Sequence, residues 1–293
     1  MTILICGASG FVGRHLTRTL RAAGLKVLRG VRHAGEAGDV KMDFRTDNRA
    51  DIWLPRLAGI SVVINVVGVL RDSPSQPMSN LHANTPCAIF AAAATVGVER
   101  VIHISALGVD RAIAVAYFNS KLFAEQALRD LPPQMRTLCL RPSVIYGADG
   151  ASARMFKRLA KCPVHVLPVG GRQALQPVHI DDLCEAVKRW LMDANASSNV
   201  VNTVGSEATD MRGMLDSYRQ QMKLPPAWHV SVPEWLLKLA ARLGDYLPAS
   251  LLCTDTLAML ASDNTADDSE FAKLLGHAPK SYREFIVPGD LDV

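Results

Sequence analysis

The first half of the chain alternates short apolar runs with stretches of helical period. "TILIC" (2–6), "LKVLRGV" (25–31), "VKMDF" (40–44), "SVVINVVGV" (61–69), "RVIHIS" (100–105) and "RTLCLRPSVIYG" (136–147, the last with its turn) read as six strands. Between them, residues 12–23 set Val12, Leu16 and Leu20 on one helical face and stop at Gly24. Residues 79–97 form an alanine-rich helix ending at Gly97, and 115–129 a further helix. The strands are apolar throughout, not alternating, which is the pattern of a parallel sheet covered on both faces. The expected fold class is α/β, a doubly wound parallel (Rossmann) sheet that binds ligands beyond the carboxyl ends of its strands.

After residue 150 the rhythm loosens. Pro163, Pro168, Gly170 and Gly171 punctuate a region that reads as hairpin-like. A helix over 181–192 and a strand over 199–204 return to the main sheet, and 207–293 reads as mostly helical. The expected division is a dinucleotide-binding domain over 1–150, rejoined by 176–205. A smaller, mostly helical substrate or partner lobe takes 151–175 and 206–293.

Composition narrows the function classes. With 293 residues, 49% hydrophobic and 20% charged, the chain is long enough for one large core or a core with a smaller lobe, and long disorder is not expected. The net charge of +4, from 32 basic and 28 acidic residues, suits anionic ligands but supplies no basic stripe for nucleic acid. Six scattered cysteines without a CxxC read as reduced thiols, and no metal site is read from the sequence. No basic or apolar leader precedes the first strand, and no apolar run is long enough to span a bilayer. A cytoplasmic protein without a membrane span is expected.

The first loop carries the strongest chemistry. Gly7, Gly10 and Gly13 lie between a strand and a helix. Their jobs are the tight turn, close backbone approach to a pyrophosphate, and close packing of helix on sheet. The free N–H groups of the helix N-terminus favour the phosphates. An acidic residue at the end of the second strand would bind the 2′-hydroxyl of NAD. Here the strand ends in "LRGVRHAGE", giving Arg29, Arg32 and His33, with Arg14 nearby on the first helix. These cations suit a 2′-phosphate, so NADP is expected ahead of NAD. Asp43 closes the third strand, placed to meet the adenine amine or to face solvent in a turn.

Ser105 ends the fifth strand, and Tyr117 and Lys121 follow in "YFNSK", four apart on a helix and so on one face. A neighbouring ammonium lowers a phenol's pKa, and such a tyrosine passes a proton to a carbonyl oxygen while hydride moves to or from nicotinamide. A Tyr-x-x-x-Lys arises readily by chance. Its place at the carboxyl edge of the sheet gives it weight.

In order along residues 1–205, "GASGFVG", "INVVG", "HAN", "HISALGVD", "YFNSK", "LRPSVIYG" and "QPVHIDDL" resemble the extended or atypical short-chain dehydrogenase/reductases, the epimerase/dehydratase-like group. "VPEWLLKLAARLGDYLP" (232–248) and residues 257–286 are similar to bacterial relatives of the nucleotide-binding accessory subunit of respiratory complex I. The resemblance implies that Gly7, Gly10 and Gly13 bind the pyrophosphate, and Ser9, Phe11, Val12 and Arg14 are expected as further cofactor-binding residues. It places Asp43, Phe44, Val67 and Gly68 on the adenosine side and Pro142 and Ser143 beside the nicotinamide. It makes Tyr117, Lys121 and Ser105 the catalytic group, with Lys121 also on the nicotinamide ribose. Asn84 would support the site, and His179 and Asp182 would anchor the substrate lobe. Two departures stand out: Cys6 replaces the usual Thr, and the gap from Ser105 to Tyr117 is short. The implied activity is hydride transfer between NADP(H) and a small carbonyl, quinone-like or sugar-nucleotide substrate. The complex I branch instead implies a cofactor held without turnover beside a partner complex. The substrate loops would be 70–76, 106–113 and the stretch after 147.

Overall fold

The computed structural model describes residues 1–111, 115–246, 253–260 and 262–286, so part of the expected 106–113 loop lies outside the described residues. The chain divides into two compact units, Met1–Arg141 with Cys184–Val201, and Pro142–Leu183 with Asn202 onward. In chain order the first elements are β1 (Thr2–Cys6), α1 (Phe11–Ala22), β2 (Lys26–Val31), β3 (Val40–Lys41), α2 (Ala50–Trp53), β4 (Val62–Asn65), α3 (Thr85–Val96), β5 (Arg100–Ile104), α4 (Ala116–Arg129) and β6 (Arg136–Pro142). There follow β7 (Ile145–Tyr146), α5 (Ala151–Lys161), β8 (Val164–Pro168), β9 (Ala174–Leu175), β10 (Val178–His179), α6 (Ile180–Met192) and β11 (Asn199–Thr203). The last are β12 (Thr209–Asp210), α7 (Met211–Gln221), β13 (Trp228–Val232), α8 (Glu234–Asp245), α9 (Thr254–Leu260) and α10 (Ser269–Leu275).

Seven strands form one sheet in the order β3-β2-β1-β4-β5-β6-β11, and β1 to β6 run parallel. The order reverses between β1 and β4, the switch point where doubly wound sheets bind ligands. Ile3, Leu4, Ile5, Val62, Val63, Ile64, Val101 and Ile102 are buried, as the unbroken apolar runs require of strands covered on both faces. Trp53, Phe90, Ile89 and Leu57 pack over one face.

The second unit has its own core of Tyr146, Phe156, Leu215, Tyr218 and Phe285. Asp182 accepts the Lys280 N–H at 2.7 Å, and the His179 ring lies against Tyr146 and Phe285, so both residues tie segments of this unit together. The stretch around Pro163–Gly171 is not a hairpin. It follows α5 and holds β8, and β8 pairs in parallel with β13, some sixty residues on. A parallel pair needs such a crossover, and local spacing cannot reveal it. Trp228 and Val230 on β13, and Trp235, Leu239 and Leu243 on α8, are exposed. Among the described residues no helix is long and apolar enough to cross a membrane.

Candidate functional site

The turn out of β1 is built by glycines that no other residue could replace in place. Gly7 has φ +87° and donates its N–H to Gly30 O at 3.0 Å. A Cβ there would stand 2.9 Å from Val67 Cγ2. At Gly13 a Cβ would fall 2.2 Å from Gly7 O, so α1 packs on the loop only because that position is bare. Gly10 caps α1, whose first turn carries no acidic residue, and its free N–H groups and partial positive charge are left for an anion.

Beside this turn lies a cavity of about 210 Å³ at the switch point. Gly7, Ser9 and Gly10 form its loop wall, and Val67 and Gly68, just past β4, the opposite one. Arg32, Asp43, Phe44 and Arg45 close the far end. Where an acidic residue would follow β2, the chain presents the exposed Arg32. Arg45 grips the Asp43 carboxylate with Nε at 2.8 Å, and that hydrogen bond, outweighing partial burial, holds Asp43 down at about 2.

Other expected cofactor residues sit elsewhere. Arg29 does not line the cavity. Its guanidinium reaches Asp39 at 3.1 Å and also pairs with Glu36, and Asp39 in turn accepts the Gly35 and Glu36 N–H groups. Arg29 therefore organises the loop after β2. Arg14 donates to Ser9 O at 2.9 Å, Phe11 lies edge-on to His15 at 5.2 Å, and Val12 is half-buried on α1. Pro142 and Ser143 belong to the second unit, where Ser143 hydrogen-bonds the Asn264 side chain and takes Thr203 O at 3.0 Å.

The Tyr117–Lys121 pair is arranged differently from the expectation. Lys121 is buried, and its ammonium donates to Ile104 O at 2.8 Å and Val67 O at 3.4 Å. Burial pulls its pKa down to about 8. A Cβ on Gly68 would lie 3.4 Å from Lys121 Nζ, so the cation stands just behind the Gly68 wall of the cavity. Tyr117 is half-buried, and burial pushes its phenol up to about 12. The phenol is not acidified: burial alone sets its shift, and the Lys121 ammonium is directed at two carbonyls instead.

A residue the sequence reading passed over links these parts. His82 sits in a π-helical turn, Ser79–Asn84, that precedes α3. Its Nε2 accepts the Val69 N–H at 2.9 Å, which places the imidazole proton on Nδ1, 3.1 Å from Ser120 Oγ. Ser120 donates on to Tyr117 O at 2.9 Å, and the Tyr117 ring packs edge-on to His82 at 5.4 Å. Burial, then the charge of Lys121, pushes His82 down to about 2, so it is a neutral, fixed wedge. The only sequence signal was "HAN", in which attention fell on Asn84. Asn84 donates to Asn80 Oδ1 at 2.8 Å and lines a separate cavity with Ser120 and Phe123.

Ser105 is buried, and its Oγ has no hydrogen-bond partner among the described residues. Its N–H donates to Leu140 O at 2.8 Å. Burial raises the Glu125 carboxyl, but the hydrogen bonds and charge of Arg141 outweigh that and hold it below its ordinary value. Arg141 meets Glu125 with Nε at 2.9 Å and NH2 at 2.6 Å, a bidentate pair.

The profile of the NAD dependent epimerase/dehydratase family matches residues 3–203. The mitochondrial NADH-ubiquinone oxidoreductase 40 kDa subunit of Neurospora crassa is 26% identical, over 97% of this chain and 77% of that one. The mitochondrial NADH dehydrogenase (ubiquinone) 1 alpha subcomplex subunit 9 of Dictyostelium discoideum is 25% identical, over 72% of this chain and 61% of its own length. Among solved structures, the NADPH-dependent quinone oxidoreductase of Escherichia coli in complex with NADPH superposes with a TM-score of 0.75 at 17% identity, covering 97% of this chain and 98% of that one. With the glycine turn, the strand order and a family match over more than half its length, this chain belongs to the NAD dependent epimerase/dehydratase family.

Proposed function

We propose that this chain binds NADP(H) at the glycine turn and holds it as a structural or redox-reporting cofactor beside a partner complex. The observation that carries the binding is the cradle itself. Three glycine positions leave room that a Cβ would fill, a helix N-terminus has no acid in its first turn, and Arg32 stands where NAD proteins place a carboxylate. Gly7, Ser9 and Gly10 would hold the pyrophosphate. Arg32 and Arg45 would serve the 2′-phosphate end, and Val67 and Gly68 the adenosine wall. The holding role is supported by Lys121, whose ammonium is committed to Ile104 O and Val67 O, and by the unacidified Tyr117. The relatives named as complex I subunits and the exposed Trp228, Trp235, Leu239 and Leu243 support a partner.

A second reading is an oxidoreductase acting on a small carbonyl, quinone-like or sugar-nucleotide substrate. It is favoured by the position of Lys121, directly behind Gly68, and by a structural neighbour named as a quinone oxidoreductase. Bound NADPH would supply hydride from nicotinamide C4. Tyr117 would supply the proton once Lys121 turned toward it.

One experiment separates the readings. NADPH and NADH are titrated by fluorescence, and NADPH oxidation is followed with a panel of carbonyls and quinones, for the wild type, Tyr117→Phe and Arg32→Glu. NADPH is expected to bind at least tenfold more tightly than NADH, and Arg32→Glu to weaken NADPH alone. Equal weakening of both cofactors would remove the 2′-phosphate assignment. The holding role predicts no oxidation by any compound. Turnover that disappears in Tyr117→Phe while binding persists would establish the oxidoreductase instead.

A further inference from the structure

The second unit contains a polar cluster that dinucleotide binding does not use. β8 and β13 pair in parallel with His165 opposite His229, so both imidazoles leave the same face of the ribbon. Asp216 on α7 meets them there. Its Oδ1 lies 2.9 Å from His229 Nε2, and the two imidazole rings are 5.2 Å apart. One ligand-type atom from each of the three residues falls within 4.8 Å of the others.

The buried member makes this more than a surface pair. His165 is 3% exposed, and neither ring nitrogen has a partner at hydrogen-bond geometry. A buried imidazole without a partner is costly, and its neighbourhood asks for an explanation. Two arginines are near. Arg219 is directed at the carbonyls of Ala160, Cys162 and Pro225, and Arg212 lies 3.9 Å from Asp216. The Asp216 carboxylate, 2.9 Å from His229 and 3.9 Å from Arg212, is the anionic member of the cluster.

We propose that His165, Asp216 and His229 bind one divalent transition-metal ion of the zinc class. Two imidazoles and one carboxylate are a three-ligand set of the kind that zinc takes with water in a fourth position. The side chain of Asp216 is 42% exposed and that of His229 16%, which leaves solvent access for that water. Zinc bonds of about 2.0–2.2 Å set ligands about 3.4 Å apart in a tetrahedron, so spacings within 4.8 Å, and 2.9 Å for the His229–Asp216 pair, bracket what the ion needs. Bound metal ties α7 to the paired strands β8 and β13. The residues are far apart in sequence and fit no ligand-spacing motif, which is why the sequence reading found no metal.

The test uses tag-free full-length protein stripped with chelator. Cobalt(II) is titrated while visible absorption is recorded, zinc(II) is added in competition, and thermal unfolding is measured with and without zinc. The expected result is one cobalt per chain with the intense bands of a four-coordinate N/O site, displacement by one equivalent of zinc, and a higher Tm in zinc. His229→Gln and Asp216→Asn, both at partly exposed positions, are each expected to weaken binding at least tenfold. They should unfold in the absence of metal as the wild type does and retain NADPH binding. Absence of the cobalt bands, or the same affinity in both variants as in the wild type, overturns the site. Binding of several ions that ignores both substitutions overturns it too.

Discussion

A buried lysine is an expensive residue, and Lys121 shows its cost in its titration. Its pKa falls from 10.5 to about 8 on folding because burial disfavours the charge. The folded chain thus holds fewer protons than the unfolded chain between pH 8 and 10.5, so stability rises with pH across that window. Below pH 8 the penalty is fully present, on the order of 3 kcal/mol before the two carbonyl hydrogen bonds offset part of it. Lys121→Met removes the titrating charge. Urea unfolding at pH 7 and pH 10 should show the variant gaining most over the wild type at pH 7, with the gap shrinking by pH 10. A gap independent of pH would mean that Lys121 keeps its charge without cost. A lysine kept at such a cost points to a function that needs it. The helical face shared by Tyr117 and Lys121 is legible in the spacing, but the direction of the ammonium is set by carbonyls 54 and 17 residues away. Arg29 and Arg32 looked equivalent as cations. Only the fold of the following loop shows that Glu36 and Asp39 claim Arg29 while Arg32 faces the cavity.

At the scale of elements, the β1 turn and α1 form one unit whose geometry is set by backbone contact. A Cβ at Gly13 would meet Gly7 O at 2.2 Å and Ala8 Cα at 2.7 Å, backbone atoms that cannot rotate away. Gly13→Ala is expected to cost about 1–3 kcal/mol by overpacking and to abolish NADPH binding, because α1 must lift off the loop. Gly24, at φ +78° with nothing within 4 Å, is the matched control. Gly24→Ala should cost about 1–2 kcal/mol of left-handed strain and leave NADPH binding intact. Chemical denaturation and cofactor titration of the two variants check this, and equal loss of binding in both would show that the loop is not the cradle. The same element was the most legible part of the sequence, since an apolar run, a glycine turn and a periodic helix are all local signals. Less local pieces were not legible. "VKMDF" pairs over Val40–Lys41 alone, because β3 is an edge strand. Residues 79–84 run on in sequence into the helix that follows but wind as a π-turn around the buried His82. β13 is half exposed and finds its partner only through β8, so no apolar run announces it.

At the scale of the molecule, the two candidate ligands fall in different units, and this makes their effects separable. The glycine-turn cavity draws every wall from Gly7 to Leu81, all in the first unit. His165, Asp216 and His229 all lie in the second. A ligand that binds only the native form stabilises by mass action, about 2.7 kcal/mol at a hundred times its Kd, which slows exchange about a hundredfold for amides that open with the site. Hydrogen exchange should therefore show NADPH slowing the amides of Gly7–Arg14, 30–45 and 66–69, and zinc slowing Val164–Pro168, Met211–Gln221 and Trp228–Val232. Each pattern should persist when the other ligand is withheld, and His229→Gln should erase the zinc pattern while leaving the NADPH pattern in place. If zinc instead slowed the glycine turn, or NADPH the β8–β13 ribbon, the two sites would be energetically coupled. The chain would then respond to metal through its cofactor affinity, by a factor that reciprocal titrations would have to give equally in both directions.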